Sequence, residues 1–210
     1  MSLYEKFENK LWGIRLPYEL YQKKRNVLFI HIPKAAGTSI LRALGKKSEA
    51  GRRHVPWHIY ERVDYAYFHK AFKFAFVRHP HDRCYSAYNY LMQGGNQTTD
   101  LITQPLLAKY KSFDGFAVEG LGEGSFRNHL LFQPQSNFLC DENGKTVTNF
   151  LGKTEDIVED TKKLSEMLNV ELEVSHLNRS SQNKGNSTSE ARQVIYELYK
   201  QDYKTFNYEP

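Results

Sequence analysis

The sequence predicts an α/β fold in three layers, with a central, mainly parallel sheet flanked by helices. Two segments, Val27–Ile32 (VLFIHI) and Phe72–Val77 (FKFAFV), are short, β-branched or aromatic, and almost wholly apolar. Strands buried on both faces of a parallel sheet have that composition, whereas half-solvated strands alternate. Each segment is followed by apolar residues at helical spacing, and strands alternating with helices build such sheets. Bulk composition agrees. Of 210 residues, 40% are hydrophobic and 14% aromatic, enough for a core and too many for a disordered chain, a collagen or a low-complexity fibre.

In chain order, residues 1–25 form a polar and aromatic N-terminal extension with Lys6, Lys10, Arg15 and the run Lys23-Lys24-Arg25. It lacks the apolar segment and small-residue cleavage site of a signal peptide. No stretch approaches the roughly 18 consecutive apolar residues of a membrane span. The chain therefore reads as soluble and cytoplasmic. The strand at Val27–Ile32 leads through Pro33-Lys34-Ala35-Ala36-Gly37-Thr38-Ser39 into a helix marked by Ile40, Leu41, Ala43 and Leu44. The second strand stops at Arg78-His79-Pro80, where proline cannot extend a ladder. Asp82–Leu91 reads as a helix with Tyr85, Tyr88 and Leu91 on one face, ended by Gly94-Gly95-Asn96. Residues 97–149 mix Gly, Asn and Gln with scattered aromatics and read as short helices and long loops. Phe150-Leu151-Gly152 is a third strand, and Asp156–Leu168 an amphipathic helix with Ile157, Leu164, Met167 and Leu168 inward. The polar segment Asn178–Ser189 follows, and Ser189 caps a last helix with Ala191, Val194, Ile195 and Leu198 on one face. With no repeat and no second boundary, residues 1–210 are expected to form one domain. Its parts are the extension 1–25, a segment 26–91, a segment 92–149, and the C-terminal strand and helices of 150–210.

Charge and cysteine usage decide little. The surplus of five positive charges, 29 Lys and Arg against 24 Asp and Glu, suits an anionic ligand and a solvated surface equally. Cys84 and Cys140 cannot build a disulfide framework and lack the paired spacing of a zinc site, which points to a reducing compartment.

The loop after the first strand is more informative. Small residues between a buried strand and a helix let the backbone approach an anion, and the helix start adds N–H groups with partial positive charge. Lys34 adds a full charge, and Thr38 and Ser39 add hydroxyl donors. The loop departs from the triphosphatase pattern G-x-x-x-x-G-K-[ST], because its lysine precedes the glycine, 34 against 37. Nor does an obvious strand end in a metal-binding Asp. A kinase or ATPase reading loses ground accordingly, and with it the need for magnesium.

Arg78 stands at the end of the second strand, and Ser86 follows eight residues later in the next helix. In open α/β sheets, ligands lie outside the carboxyl ends of the strands. The Lys34 loop and Arg78 both occupy such ends, so a ligand with phosphates at two places is implied. Taken singly, Arg78 also fits a surface ion pair and Ser86 a helix-face serine.

Together these motifs are specific. FIHIPKAAGTSI (Phe29–Ile40) and FKFAFVRHPHDRCYSAYNYL (Phe72–Leu91) resemble the two cofactor motifs of the sulfotransferases that use 3′-phosphoadenosine 5′-phosphosulfate (PAPS), in particular the carbohydrate branch. Weaker echoes follow at Pro134-Gln135, Phe150–Asp160, His176–Ser180 and Tyr199–Tyr208. The resemblance implies a P-loop-like form of the three-layer fold. It implies that Lys34, Ala35, Ala36, Gly37, Thr38 and Ser39 bind the 5′-phosphosulfate, and that Arg78 and Ser86 hold the 3′-phosphate. Lys184, in the polar loop, would close over the cofactor. The family often has Asn or Asp where this chain has His79, at a position with no evident chemistry. Implied too are PAPS as donor, no metal, and a hydroxyl acceptor, with a carbohydrate first. Acceptor specificity is expected from 92–149 and the loops around 178–189, where Lys109, Lys111 and Arg127 suit an acidic glycan and a solvated surface equally. Neither nucleic acid nor a membrane span is expected.

Sulfuryl transfer by in-line displacement needs a cation at the bridging oxygen, for which Lys34 is the candidate, and a general base for the acceptor hydroxyl. Of 8 histidines, His31 lies within the first strand and reads as core or second shell. His79 and His81 flank Pro80, while His129 and His176 fall in poorly patterned segments. The resemblance implies a base between the first two strands, which leaves His54 and His58. His58 opens a helix with Ile59 and Val63 and matches the family position better. Alternative readings are a small kinase-like phosphotransferase, a catalytically inactive PAPS-binding protein, and a protein that binds an acidic partner.

Overall fold

The computed structural model of the chain describes residues 16–45, 54–124, 126–172, 174 and 187–210. In order, its main elements are α1 (Leu20–Arg25), β1 (Val27–Phe29), α2 (Gly37–Ala43), α3 (Trp57–Val63), α4 (Tyr65–Lys70) and β2 (Phe72–Val77). Then come α5 (Pro80–Met92), α6 (Gln104–Ala108), α7 (Ser136–Leu139), β3 (Phe150–Lys153), α8 (Ile157–Leu168), α9 (Ser189–Leu198) and α10 (Lys200–Thr205). This is the expected α/β architecture, a parallel sheet flanked by helices. The chain folds as two compact units: Met1–Val77 with Asn137–Ser175, and Arg78–Ser136 with His176–Pro210.

The first unit is built on the sheet. Among the described residues it has three strands in the order β1-β2-β3, both pairs parallel. Val27 pairs with Phe72, and Phe76 with Gly152. Val27, Phe29, Phe74 and Phe76 cluster with Ile40 and Leu41 of α2 and Leu164 of α8. The intervening Leu28, Ala75 and Val77 are just as inaccessible, which explains strands that read as apolar runs rather than as alternation. β1 is shorter than its apolar run. Ile30 N–H still donates to Phe74 O at 2.9 Å, and the chain then leaves the sheet toward Pro33, which has no N–H to give a ladder. Lys73 is the polar exception in β2. Its Nζ donates to the carbonyls of Phe68 (3.0 Å) and Ala71 (3.1 Å) and so caps the end of α4. Burial lowers its pKa. In α8 the inward residues are Thr161 and Leu164, with Ile157 and Leu168 packed beside them. Met167 is 54% exposed, contrary to expectation, because Thr161 rather than Met167 completes the helical stripe.

The second unit is helical and aromatic. α5 begins at Pro80, two residues earlier than expected, since proline suits the first helical position. Its Cys84, Ala87 and Leu91 pack with Phe116, Phe132, Ala191 and Ile195. The Phe116 ring meets Tyr88 at 5.3 Å, Phe126 at 5.3 Å and Phe132 at 4.9 Å between centroids. The poorly patterned region is thus an aromatic cluster. α9 is capped by Thr188, whose Oγ1 accepts from Ala191 N–H at 3.2 Å, so Ser189 is its first helical residue and not its cap. No helix among the described residues is long and apolar enough to cross a membrane.

Candidate active site

The loop from β1 to α2 is shaped by backbone. Lys34 (φ 64°) and Ala36 (φ 55°) both adopt the left-handed conformation, unusual for residues with a side chain. Alternation of left-handed with ordinary residues turns successive N–H groups toward one concavity, a form suited to anions. Ser39 N–H and Ile40 N–H both return to Ala36 O, at 3.0 and 3.2 Å, and start α2. The N–H groups of Gly37 and Thr38, at the helix start, have no intrahelical acceptor. Ala35 and Gly37 are buried, whereas Lys34, Ala36, Thr38 and Ser39 are half-buried.

His31 forms the floor of this loop. It is 6% exposed and stacks on Phe29 with centroids 5.4 Å apart. A Cβ on Gly37 would fall 1.7 Å from His31 Nε2, so only glycine allows the helix to start there. The His54 ring lies 4.2 Å from that of His31, and His54 Nδ1 is 3.1 Å from His31 O. If Nδ1 carries the proton it donates to this carbonyl, and the ring's lone pair is then on Nε2. His58 lies in the first turn of α3, exposed and edge-on to Trp57 at 6.0 Å. Trp57 Nε1 donates to Cys140 O at 2.8 Å. The structure therefore brings His54 to the base of the loop, beside His31.

In the second unit, Arg78 directly follows β2 and Ser86 lies half-buried in α5. The Gln135 carboxamide holds the Arg78 backbone from both sides: Arg78 N–H donates to Oε1 at 2.9 Å, and Nε2 donates to Arg78 O at 2.8 Å. His79 Nε2 lies 3.0 Å from Glu209 O, and His81 Nε2 lies 3.0 Å from Ser187 Oγ. Asp82, in the first turn of α5, is held below its ordinary pKa of 3.8, foremost by His81 beside it and further by His79 and Arg78. Burial pushes the Cys84 thiol up to about 12, so this cysteine is an inert core residue. Arg127 directs its guanidinium to the carbonyls of Leu121 and Gly122, and Lys109 sits over the Tyr110 ring at 4.8 Å. Lys184 and His176 lie outside the described residues. Among the described residues, no group of three or more His, Cys, Asp or Glu could hold a metal ion.

Sequence patterns gave little notice of Gln135 or of Asp202, whose carboxylate holds the Gln135 and Ser136 N–H groups at 2.7 and 2.8 Å. Their partners are 57 and 67 residues away, beyond the reach of any local pattern. The comparisons with known proteins add one finding: the model of the sulfotransferase family matches residues 19–209. Neither a curated protein nor a solved structure matches the chain.

Proposed function

The chain belongs to the sulfotransferase family, and on that premise we propose that it transfers the sulfuryl group of PAPS to a hydroxyl acceptor, with a carbohydrate as the acceptor class. The observation that carries the reading is the β1–α2 loop, where left-handed Lys34 and Ala36 precede a glycine that only an absent side chain permits. The family match spans both compact units, so we treat them as one sulfotransferase domain.

PAPS supplies a sulfuryl group carried on a phosphate that leaves. In this reading Lys34, Ala35, Ala36, Gly37, Thr38 and Ser39 take the 5′-phosphosulfate, through backbone N–H groups, two hydroxyls and one ammonium. Lys34 offsets the charge that develops on the bridging oxygen. Arg78 and Ser86 take the 3′-phosphate, for which a guanidinium offers paired donors. Lys184 is assigned to the same cofactor. Residues 92–149 select the acceptor.

The general base is a histidine from the segment between β1 and β2. Resemblance favours His58. Geometry favours His54, whose ring lies against His31 beneath the phosphate loop. The test is sulfuryl transfer by His54→Ala and His58→Ala, each with donor affinity measured alongside. His54→Ala is expected to lower turnover by about 10²–10⁴-fold with donor affinity nearly kept, the usual worth of a general base. A loss confined to His58→Ala would return the role to His58, and near-normal turnover in both variants would remove the histidine base.

A further inference from the structure

We propose that Gln135 is a positioning residue for Arg78, fixing its backbone and thereby aiming its guanidinium at the donor's 3′-phosphate. The inference rests on the reading of Arg78 given above.

β2 is paired up to its last residue. Val77 is in register with Lys153 of β3, and Val77 O accepts from Thr154 N–H at 2.9 Å. Arg78 belongs to no strand. Its N–H and C=O are met instead by a side chain, at 2.9 and 2.8 Å, through Oε1 and Nε2 of Gln135. One carboxamide thus reproduces the two bonds that a directly opposed residue exchanges in an antiparallel ladder. A primary amide presents a donor and an acceptor side by side, which neither a carboxylate nor an ammonium does.

Gln135 is itself fixed on both sides. It is 0% exposed. On one side, Asp202 of α10, also 0% exposed, accepts from Gln135 N–H and Ser136 N–H. On the other, the buried Arg83 donates to Leu131 O at 3.0 Å and Gln133 O at 2.6 Å, with its guanidinium over the Tyr199 ring at 5.4 Å. Burial raises the Asp202 pKa, opposed by Arg83 and by the two backbone N–H groups. Asp202 thus holds the backbone at Gln135 and Ser136, and Arg83 holds the segment just before it, at Leu131 and Gln133. Recognition of a phosphate by a guanidinium is directional, and a fixed backbone narrows where that fork points.

The test is calorimetry on the full chain with adenosine 3′,5′-bisphosphate and with adenosine 5′-phosphate. Gln135→Met removes both bonds, and Gln135→Glu keeps only the acceptor for Arg78 N–H. Gln135→Met is expected to weaken the bisphosphate about tenfold, the worth of a lost hydrogen bond or two, and to change the 5′-phosphate by less than about twofold. Gln135→Glu should fall between, with the donor KM rising and kcat kept in both variants. In an Arg78→Ala background, Gln135→Met should add nothing further. Equal loss for both ligands, or an additive loss in that background, would overturn the positioning role. So would an Arg78→Ala loss that neither Gln135 variant shares. Unchanged bisphosphate affinity in Arg78→Ala alone would instead remove the 3′-phosphate reading and this inference with it. If Gln135→Met lacks a cooperative melting transition, Gln135→Glu and Gln135→Asn carry the same comparison.

Discussion

Gly37 shows how much one missing side chain decides. The His31 imidazole occupies the space a Cβ would need, with Nε2 at 1.7 Å and Cδ2 at 2.0 Å. Gly37→Ala must therefore push the ring off Phe29 or shift the start of α2. Overpacking of this kind costs about 1–3 kcal/mol, and urea denaturation should show a loss of that size together with weakened donor binding. Adding His31→Ala should recover most of the stability, whereas an unrelieved loss would place the strain elsewhere. At this scale the sequence was partly legible. The order Lys34, Gly37, Thr38, Ser39 carried the expectation of an anion loop, and His31 was expected to lie in or beside the core, as its burial bears out. The left-handed turns at Lys34 and Ala36 were not visible, because neither is a glycine and nothing local announces that conformation. Such turns cost of order 1–3 kcal/mol each and concentrate where a ligand is held.

Among the elements, α5 follows β2 in the chain and packs into the aromatic core of the second unit. Pro80 sets its first turn, and Asp82 sits there with His81 Nδ1 at 3.6 Å from its carboxylate. The partial positive charge of the helix start favours an anion at that place. Since the Asp82 pKa is held below 3.8 in the folded chain, its stabilising contribution is complete above the unfolded value. It is lost as pH falls through the folded value. The melting temperature of Asp82→Asn should therefore lie below that of the native chain at neutral pH, and the gap should close between about pH 5 and pH 2. A gap that persists in acid would contradict the assignment. Strands were the most legible elements, because burial on both faces leaves an unbroken apolar run. Helix details were less so. Met167 reads as inward only if Thr161 is overlooked, and two adjacent hydroxyl residues, Thr188 and Ser189, both suit the cap of α9.

For the molecule as a whole, composition did not mark the division into two units, whose first boundary falls between Val77 and Arg78 within one long motif. Residues 97–149 resisted reading for a related reason. Their order comes from rings meeting across long separations, such as Phe116 with Tyr88, and from Tyr199 donating to Phe132 O at 2.6 Å. Pro134-Gln135 was visible only as a weak family echo, and its geometric role depends on a carboxylate 67 residues away. The net charge of +5 still identifies nothing. The proposal rests instead on one lysine in the loop that follows β1 and one arginine directly after β2. The most direct measurement is transfer from sulfur-labelled PAPS to a panel of glycan, lipid and phenolic acceptors, with native chain and Lys34→Ala. The account predicts label on a hydroxyl acceptor, best with a glycan. It also predicts a turnover loss of about 10²-fold or more in Lys34→Ala that exceeds its loss of affinity for adenosine 3′,5′-bisphosphate. Absence of label on every acceptor, or full turnover in Lys34→Ala, would contradict it.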